Sequence, residues 1–123
     1  MTVRVDVVIV QFPYQEGARG KNRPALVVQC DPNNRRLQNT VVAMITGNIQ
    51  RAETEPTQLL VAPSTPEGQS SGLHGESAVK CENLFTIQQA HILRTIGHLS
   101  QALMAKVDAC LKASLARLPH PGR

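Results

Sequence analysis

Short β-branched runs, each halted by Pro, Gly or a polar turn, fill the first four-fifths of the chain, and one stretch of helical periodicity ends it. That order limits the fold more than any other feature. "VDVVIVQF" (Val5–Phe12) is a near-continuous apolar run and predicts a buried strand. "PALVVQC" is the second strand. Pro24 opens it, because a residue without an N–H is tolerated at a strand's start, and Arg23 is thereby held at its mouth. "TVVAMIT" (Thr40–Thr46), "TQLLVA" (Thr57–Ala62) and "SAVKCENLFTI" (Ser77–Ile87) follow. "QQAHILRT" reads as a short helical turn and "IGHLS" as an edge strand.

From Ser100, a good N-cap, Leu103, Val107, Cys110, Leu111, Leu115 and Leu118 recur at helical spacing. They predict an amphipathic helix of about five turns. Strands first and one helix last give a strongly curved antiparallel sheet or open barrel with a covering helix. A chain of 123 residues holds one core, so residues 1–118 are expected to form a single domain and 119–123 a flexible tail. Between the elements lie the loop Pro13–Arg23, the polar loop Asp31–Asn39, and Pro63–Glu76, the longest stretch without a structural pattern.

Aromatics are 2% of the chain: Phe12, Tyr14 and Phe85. The core must be aliphatic, and the rows of rings used by stacking-type single-strand binders are absent. A net charge of +4 fits an anionic partner or plain solubility. Three cysteines, Cys30, Cys81 and Cys110, show no C-x-x-C spacing, lie in or beside apolar runs, and read as buried thiols of a reduced cytosol. Neither a metal site nor a cofactor is expected. With no basic n-region and no apolar run of membrane-spanning length, the expected location is cytoplasmic.

Several residues carry possible chemistry. Arg23 offers a planar fork of donors suited to phosphate, and Arg19 and Lys21 share its loop. Thr46 ends its strand before Gly47; its hydroxyl suits either strand propensity or donation to a phosphate oxygen. Alternation puts Val79 and Cys81 in the core and Ala78, Lys80 and Glu82 on the outward face, as a solvated pair or as a cation and carboxylate at a site. His74 in the Gly-rich loop is either a plain loop histidine or a titratable group at a site; His91 and His98 read as structural. No nucleophile elbow, P-loop or H-E-x-x-H pattern is present.

The ordered segments "VDVVIVQFPYQEG", "KNRPALVVQ", "VVAMIT", the Gly72–Leu73 pair followed by Ser77, Val79, Cys81 and Thr86, and "IGHLSQALMAKVDACLKASL" together resemble the MazF/PemK family of toxin endoribonucleases. The likeness spans roughly residues 3–118. It implies an SH3-like barrel with a terminal helix, a homodimer, and metal-independent cleavage of single-stranded RNA. It also implies an acidic antitoxin, similar to MazE, whose extended C-terminal segment occupies the RNA groove. By the same resemblance Arg23 falls at the Arg of the R-P-x-L-V pattern that acts on the scissile phosphate, and Thr46 at the second catalytic position.

Lys80 and Glu82 fall where some PemK-type members carry Arg and Asp; Glu82 is the expected general base and Lys80 an aid to charge. Those members have a His in the first loop, where this chain has Gly17. Tyr14, Arg19, Lys21, Arg35 and His74 are the expected RNA-contacting residues beside Lys80. Two rivals remain: a non-catalytic toxin of the same fold that binds DNA gyrase, as CcdB-type toxins do, and a weakly active, decayed member.

Overall fold

The computed structural model describes residues 2–12 and 21–116. Six strands form one antiparallel sheet: β1 (Asp6–Phe12), β2 (Lys21–Val27), β3 (Asn39–Thr46), β4 (Gln58–Val61), β5 (Ser77–Gln88) and β6 (Ile92–His98). Their spatial order is β4-β5-β3-β2-β1-β6. A six-residue helix, α1 (Asp31–Arg36), links β2 to β3, and α2 (Gln101–Leu115) ends the described chain. The near-continuous apolar runs have a direct cause: the central strands are buried on both faces. Val7, Leu26, Ala43, Ile45 and Val79 point to one face and pack with Leu103, Met104, Val107 and Cys110 of α2. Val8, Val10, Ala25, Val27, Val42 and Met44 point to the other.

Among the described residues no helix covers that second face; the sheet covers it by curling. Strands β1 and β5 lie three ladder spacings apart, roughly 14 Å along the sheet. Yet the rings of Phe12 and Phe85 meet edge-on, with centroids 5.3 Å apart. Among the described residues the barrel does not close, and β4 and β6 remain edges.

Strand β2 begins at Lys21, earlier than expected, and Pro24 lies inside it. Its ladder to β1 runs from Lys21 to Leu26, but its ladder to β3 starts only at Ala25. Pro24 therefore sits where the strand has lost a neighbour on one side, which is where a missing donor is tolerated.

The segment 31–39, expected to be a loop, holds α1. Pro32 stands in its first turn, where no intrahelical donor is needed, with Asp31 at the start and Arg35 and Arg36 at the end of the helix dipole. Buried Asn34 anchors it. Its Nδ2 donates to the Gln29 carbonyl at 2.9 Å, and its Oδ1 accepts from Thr40 Oγ1 at 2.6 Å.

Two other expectations change. Cys30 is exposed, at the N-cap of α1, whereas Cys81 and Cys110 are buried. Ala78, expected outward, is also buried. Helix α2 is capped as expected, with Ser100 Oγ accepting from the Leu103 N–H at 3.2 Å. It has 15 residues and ends at Leu115, whose side chain is largely exposed. Leu118 and the tail lie outside the described residues.

Segment 63–76 is not structureless. A 3-10 turn at Gln69–Ser71 packs against β6. Gly72, at φ +73°, lies so close that a Cβ there would stand 2.0 Å from the Ile96 carbonyl oxygen. Ser70 Oγ donates to the His98 carbonyl at 2.9 Å. Gly72→Ala should therefore destabilise by about 1–3 kcal/mol or more, several degrees in Tm. Gly75 is the control, since a Cβ there would meet nothing within 4 Å. Gly75→Ala should stay within about 0.5 kcal/mol of wild type by thermal or urea unfolding.

Candidate active site

The ladders fix which side chains share a face, because directly opposed residues point the same way. Met44 on β3 opposes Ala25 on β2 and Lys80 on β5, and Lys80 opposes Gln58 on β4. All four belong to the concave face. Two residues further along β3 comes Thr46, and two residues back along β2 comes Arg23. Arg23 pairs with Val10 of β1, a concave-face residue, so Arg23 points to the same face as Thr46 although the β2–β3 pairing has already ended at Ala25 and Met44. The β2 segment that has lost its β3 partner is thus the segment that presents the guanidinium.

Strand β5 bends at this point. Ala43 pairs with Leu84, but the next residue of β3, Met44, pairs with Lys80. Cys81, Glu82 and Asn83 are left over as a bulge. Bulges re-aim side chains beside functional sites. The Cys81 N–H leaves the β3 ladder and donates to the Thr57 carbonyl at 2.9 Å. Glu82 is turned so that its Oε2 accepts a hydrogen bond from Gln58 Nε2 at 2.7 Å.

Thr46, Lys80 and Glu82 line one polar cleft of about 330 Å³, together with Asn48, Gln50, Arg51 and Gln58. Thr46 Oγ1 accepts from the Asn48 N–H at 3.2 Å. One lone pair is then used, and the hydroxyl proton can be donated to an anion. Asn48 Oδ1 accepts from the Gln50 N–H at 3.2 Å, and the Ala52 N–H donates to the Ile49 carbonyl at 3.1 Å. These local bonds hold the 47–52 turn over the cleft. Two cations, Lys80 and Arg51, face one carboxylate, so the lining favours an anionic ligand.

Cys81, beside Glu82, takes no part as a thiolate. Burial, then its neighbour Cys110, pushes its thiol up to about 12, and Cys110 is raised as well, chiefly by burial. Among the described residues no group of three His, Cys, Asp or Glu side chains is placed to hold a metal ion.

The expected site residues divide by location. Thr46, Lys80 and Glu82 come together in the cleft at one end of the concave face; Arg23 lies on the same face but not in the cleft lining, with exposed Lys21 two residues from it. Arg35 lies on α1, at the start of β3, roughly 20 Å from Thr46 by strand rise, and lines a separate hollow with Leu37, Gln38 and Gln89. His74 lines a third hollow with Ile9, Pro24 and Arg94, residues that alternate onto the helix side of the sheet. Tyr14, Gly17 and Arg19 lie outside the described residues.

Sequence reasoning missed Asn48, Gln50, Arg51 and Gln58. For Gln58 there was a signal: a polar residue opening an otherwise apolar strand, on the face opposite Leu59 and Val61. For Arg51 there was none, since its place depends on how the 47–52 turn folds back.

The family model described as a PemK-like, MazF-like toxin of type II toxin-antitoxin systems matches residues 3–115. "Endoribonuclease EndoA" of Bacillus subtilis (strain 168) is 34% identical over 104 residues, covering 85% of this chain and 84% of that protein. Among solved structures, a mycobacterial endoribonuclease in complex with its cognate antitoxin superposes with a TM-score of 0.76 at 24% identity, over 98% of this chain and 100% of the other. A MazE-MazF structure from Deinococcus radiodurans gives a TM-score of 0.70 at 18% identity, over 95% and 98% of the two chains. These last two show the shared curved sheet with its terminal helix. With the match running through nearly every element that builds the cleft, the chain belongs to the PemK-like, MazF-like toxins of type II toxin-antitoxin systems.

Proposed function

We propose that this chain is the toxin of a type II toxin-antitoxin pair and a metal-independent endoribonuclease that cuts single-stranded RNA, mRNA included, and so stops translation and growth. One observation carries the reading. Thr46, Lys80 and Glu82 converge in a single cation-rich cleft on the sheet face that also bears Arg23. The endoribonuclease name of the Bacillus relative, at 34% identity, supports it.

RNA brings its own nucleophile. The 2′-hydroxyl already stands beside the phosphorus, so the attack is intramolecular and needs no activated water. Glu82 takes the 2′-proton, the 2′-oxygen bonds to phosphorus, and the bond from phosphorus to the 5′-oxygen breaks. The departing oxygen picks up a proton from the newly protonated Glu82 or from solvent. Arg23 and Lys80 stabilise the charge that builds on the phosphoryl oxygens, and Thr46 donates a hydrogen bond to one of them. A 2′,3′-cyclic phosphate and a 5′-hydroxyl result.

The purified chain should cut a long RNA in excess EDTA. Arg23→Ala should lower kcat on the order of 10²–10³-fold, as loss of a donor to a developing oxyanion does, and Thr46→Val by a comparable or smaller factor. Unchanged circular dichroism and Tm would show that the fold survives. Dependence on added magnesium, or full activity in both variants, would remove this mechanism. A protein that cuts no RNA yet captures DNA gyrase would instead match the non-catalytic reading.

The same cations explain the partner. An enzyme of this kind needs restraint in the cytoplasm, and an acidic, extended segment of a cognate antitoxin can occupy the groove of a homodimer and borrow Arg23 and Lys80. Such a segment can be disordered alone and order on binding. Titrating a fully 2′-O-methyl RNA against the preformed toxin–antitoxin complex should displace the antitoxin. Added salt should weaken the RNA more steeply than the antitoxin if apolar contacts share the load. Simultaneous binding without mutual weakening would place inhibition elsewhere.

A further inference from the structure

The carboxylate of Glu82 is not simply exposed at the cleft; it is held. It sits in the bulge of β5, between Lys80 and Leu84. An exposed glutamate side chain has several rotamers and no fixed direction, which is a poor starting point for a base that must meet one particular proton. The hydrogen bond from Gln58 removes that freedom. Gln58 is itself fixed. It is only 9% exposed, it opens β4, its backbone pairs with Lys80, and its N–H donates to the Glu55 carbonyl at 3.0 Å. Its Nε2 stands 2.7 Å from Glu82 Oε2. Both side chains line the cleft that contains Thr46.

We infer that Gln58 is a positioning residue for the reaction: it orients Glu82 through Oε2 and leaves the carboxylate's other oxygen to receive the 2′-proton. This rests on the endoribonuclease reading above. The chemistry of the amide fits the task. A neutral donor can hold a carboxylate without neutralising it, whereas Lys or Arg in that place would pair with the charge and compete with the phosphate for it. The backbone on either side contributes too. With Cys81 N–H bound to the Thr57 carbonyl, the residue before Glu82 is tied to the residue before Gln58, so the two side chains are carried on backbones that are locked together.

The test is a double-mutant cycle built on Gln58→Met, which keeps chain length and removes the donor, and Glu82→Gln, which keeps shape and removes the base. Alone, Gln58→Met should lower kcat on the order of ten- to a hundred-fold with KM within about two-fold of wild type, the signature of lost orientation rather than lost binding. In the Glu82→Gln background it should cost almost nothing more, since there is no base left to orient. Gln58→His, which retains a donor, should recover part of the rate. A Tm for Gln58→Met close to wild type separates orientation from folding; if that variant unfolds, Gln58→Ala, which also removes the donor, carries the cycle in its place.

Effects of Gln58→Met and Glu82→Gln that simply multiply would overturn the inference, as would a Gln58→Met defect confined to KM. In either case wild-type cleavage would leave the endoribonuclease reading intact. A wild-type protein that cuts no RNA would remove that reading and this inference together.

Discussion

Between Lys80 and Leu84, β5 carries three residues that β3 does not match, and the geometry of the concave face depends on that mismatch. Before it, β5 is a central strand, with β3 on one side and β4 on the other. After it, β5 pairs with β3 alone and bends far enough for Phe85 to meet Phe12 across two intervening strands. The one irregularity thus helps to curl the sheet, gives the aliphatic face of Val8, Val10, Val42 and Met44 a cover without a helix, and turns Glu82 towards Gln58. A bulge increases local twist and bends the strand that carries it.

The cleft forms where ladders end. Pairing between β2 and β3 stops at Ala25 and Met44, and pairing between β4 and β5 begins at Gln58 and Lys80. Backbone of β2 that is still extended but has run out of β3 can present Arg23 to a ligand, while Lys80, paired to both β3 and β4, stands at the last rung before the bulge. The rigid sheet beneath holds each of them in register. The concave face is apolar at its centre, and its polar end towards Arg23 and Thr46 lies where the β2–β3 ladder stops.

Much of this was legible from the residues in order. The β-branched runs mark the strands because burial on both faces requires them to be apolar throughout, and Ser100 marks the start of α2 because a free hydroxyl meets an orphan N–H there. Helix α1 was not legible: "DPNNRR" has the composition of a turn, and its stability comes from Asn34 bonding to Gln29 and Thr40, contacts made only once β2 and β3 are side by side. The packed course of segment 63–76 was hidden for a similar reason, since Gly72 reads as loose until Ile96 is set against it. In the site, Lys80 and Glu82 were visible by alternation, but the bulge between them and β3, and with it the place of Gln58 and Arg51, follows from pairing and not from pattern.

In the proposed mechanism the RNA supplies its own nucleophile and the cleft only positions and neutralises. A single 2′-deoxy substitution tests it most directly. Two oligoribonucleotides that carry the same cut site are compared under single-turnover conditions, one all-ribose and one with 2′-deoxyribose only at the nucleotide whose 2′-oxygen would attack. The substituted bond should stay intact, the oligonucleotide should still compete for binding with similar affinity, and the all-ribose product should end in a 2′,3′-cyclic phosphate. Cleavage of the substituted bond at the all-ribose rate would contradict this mechanism and would require an external nucleophile.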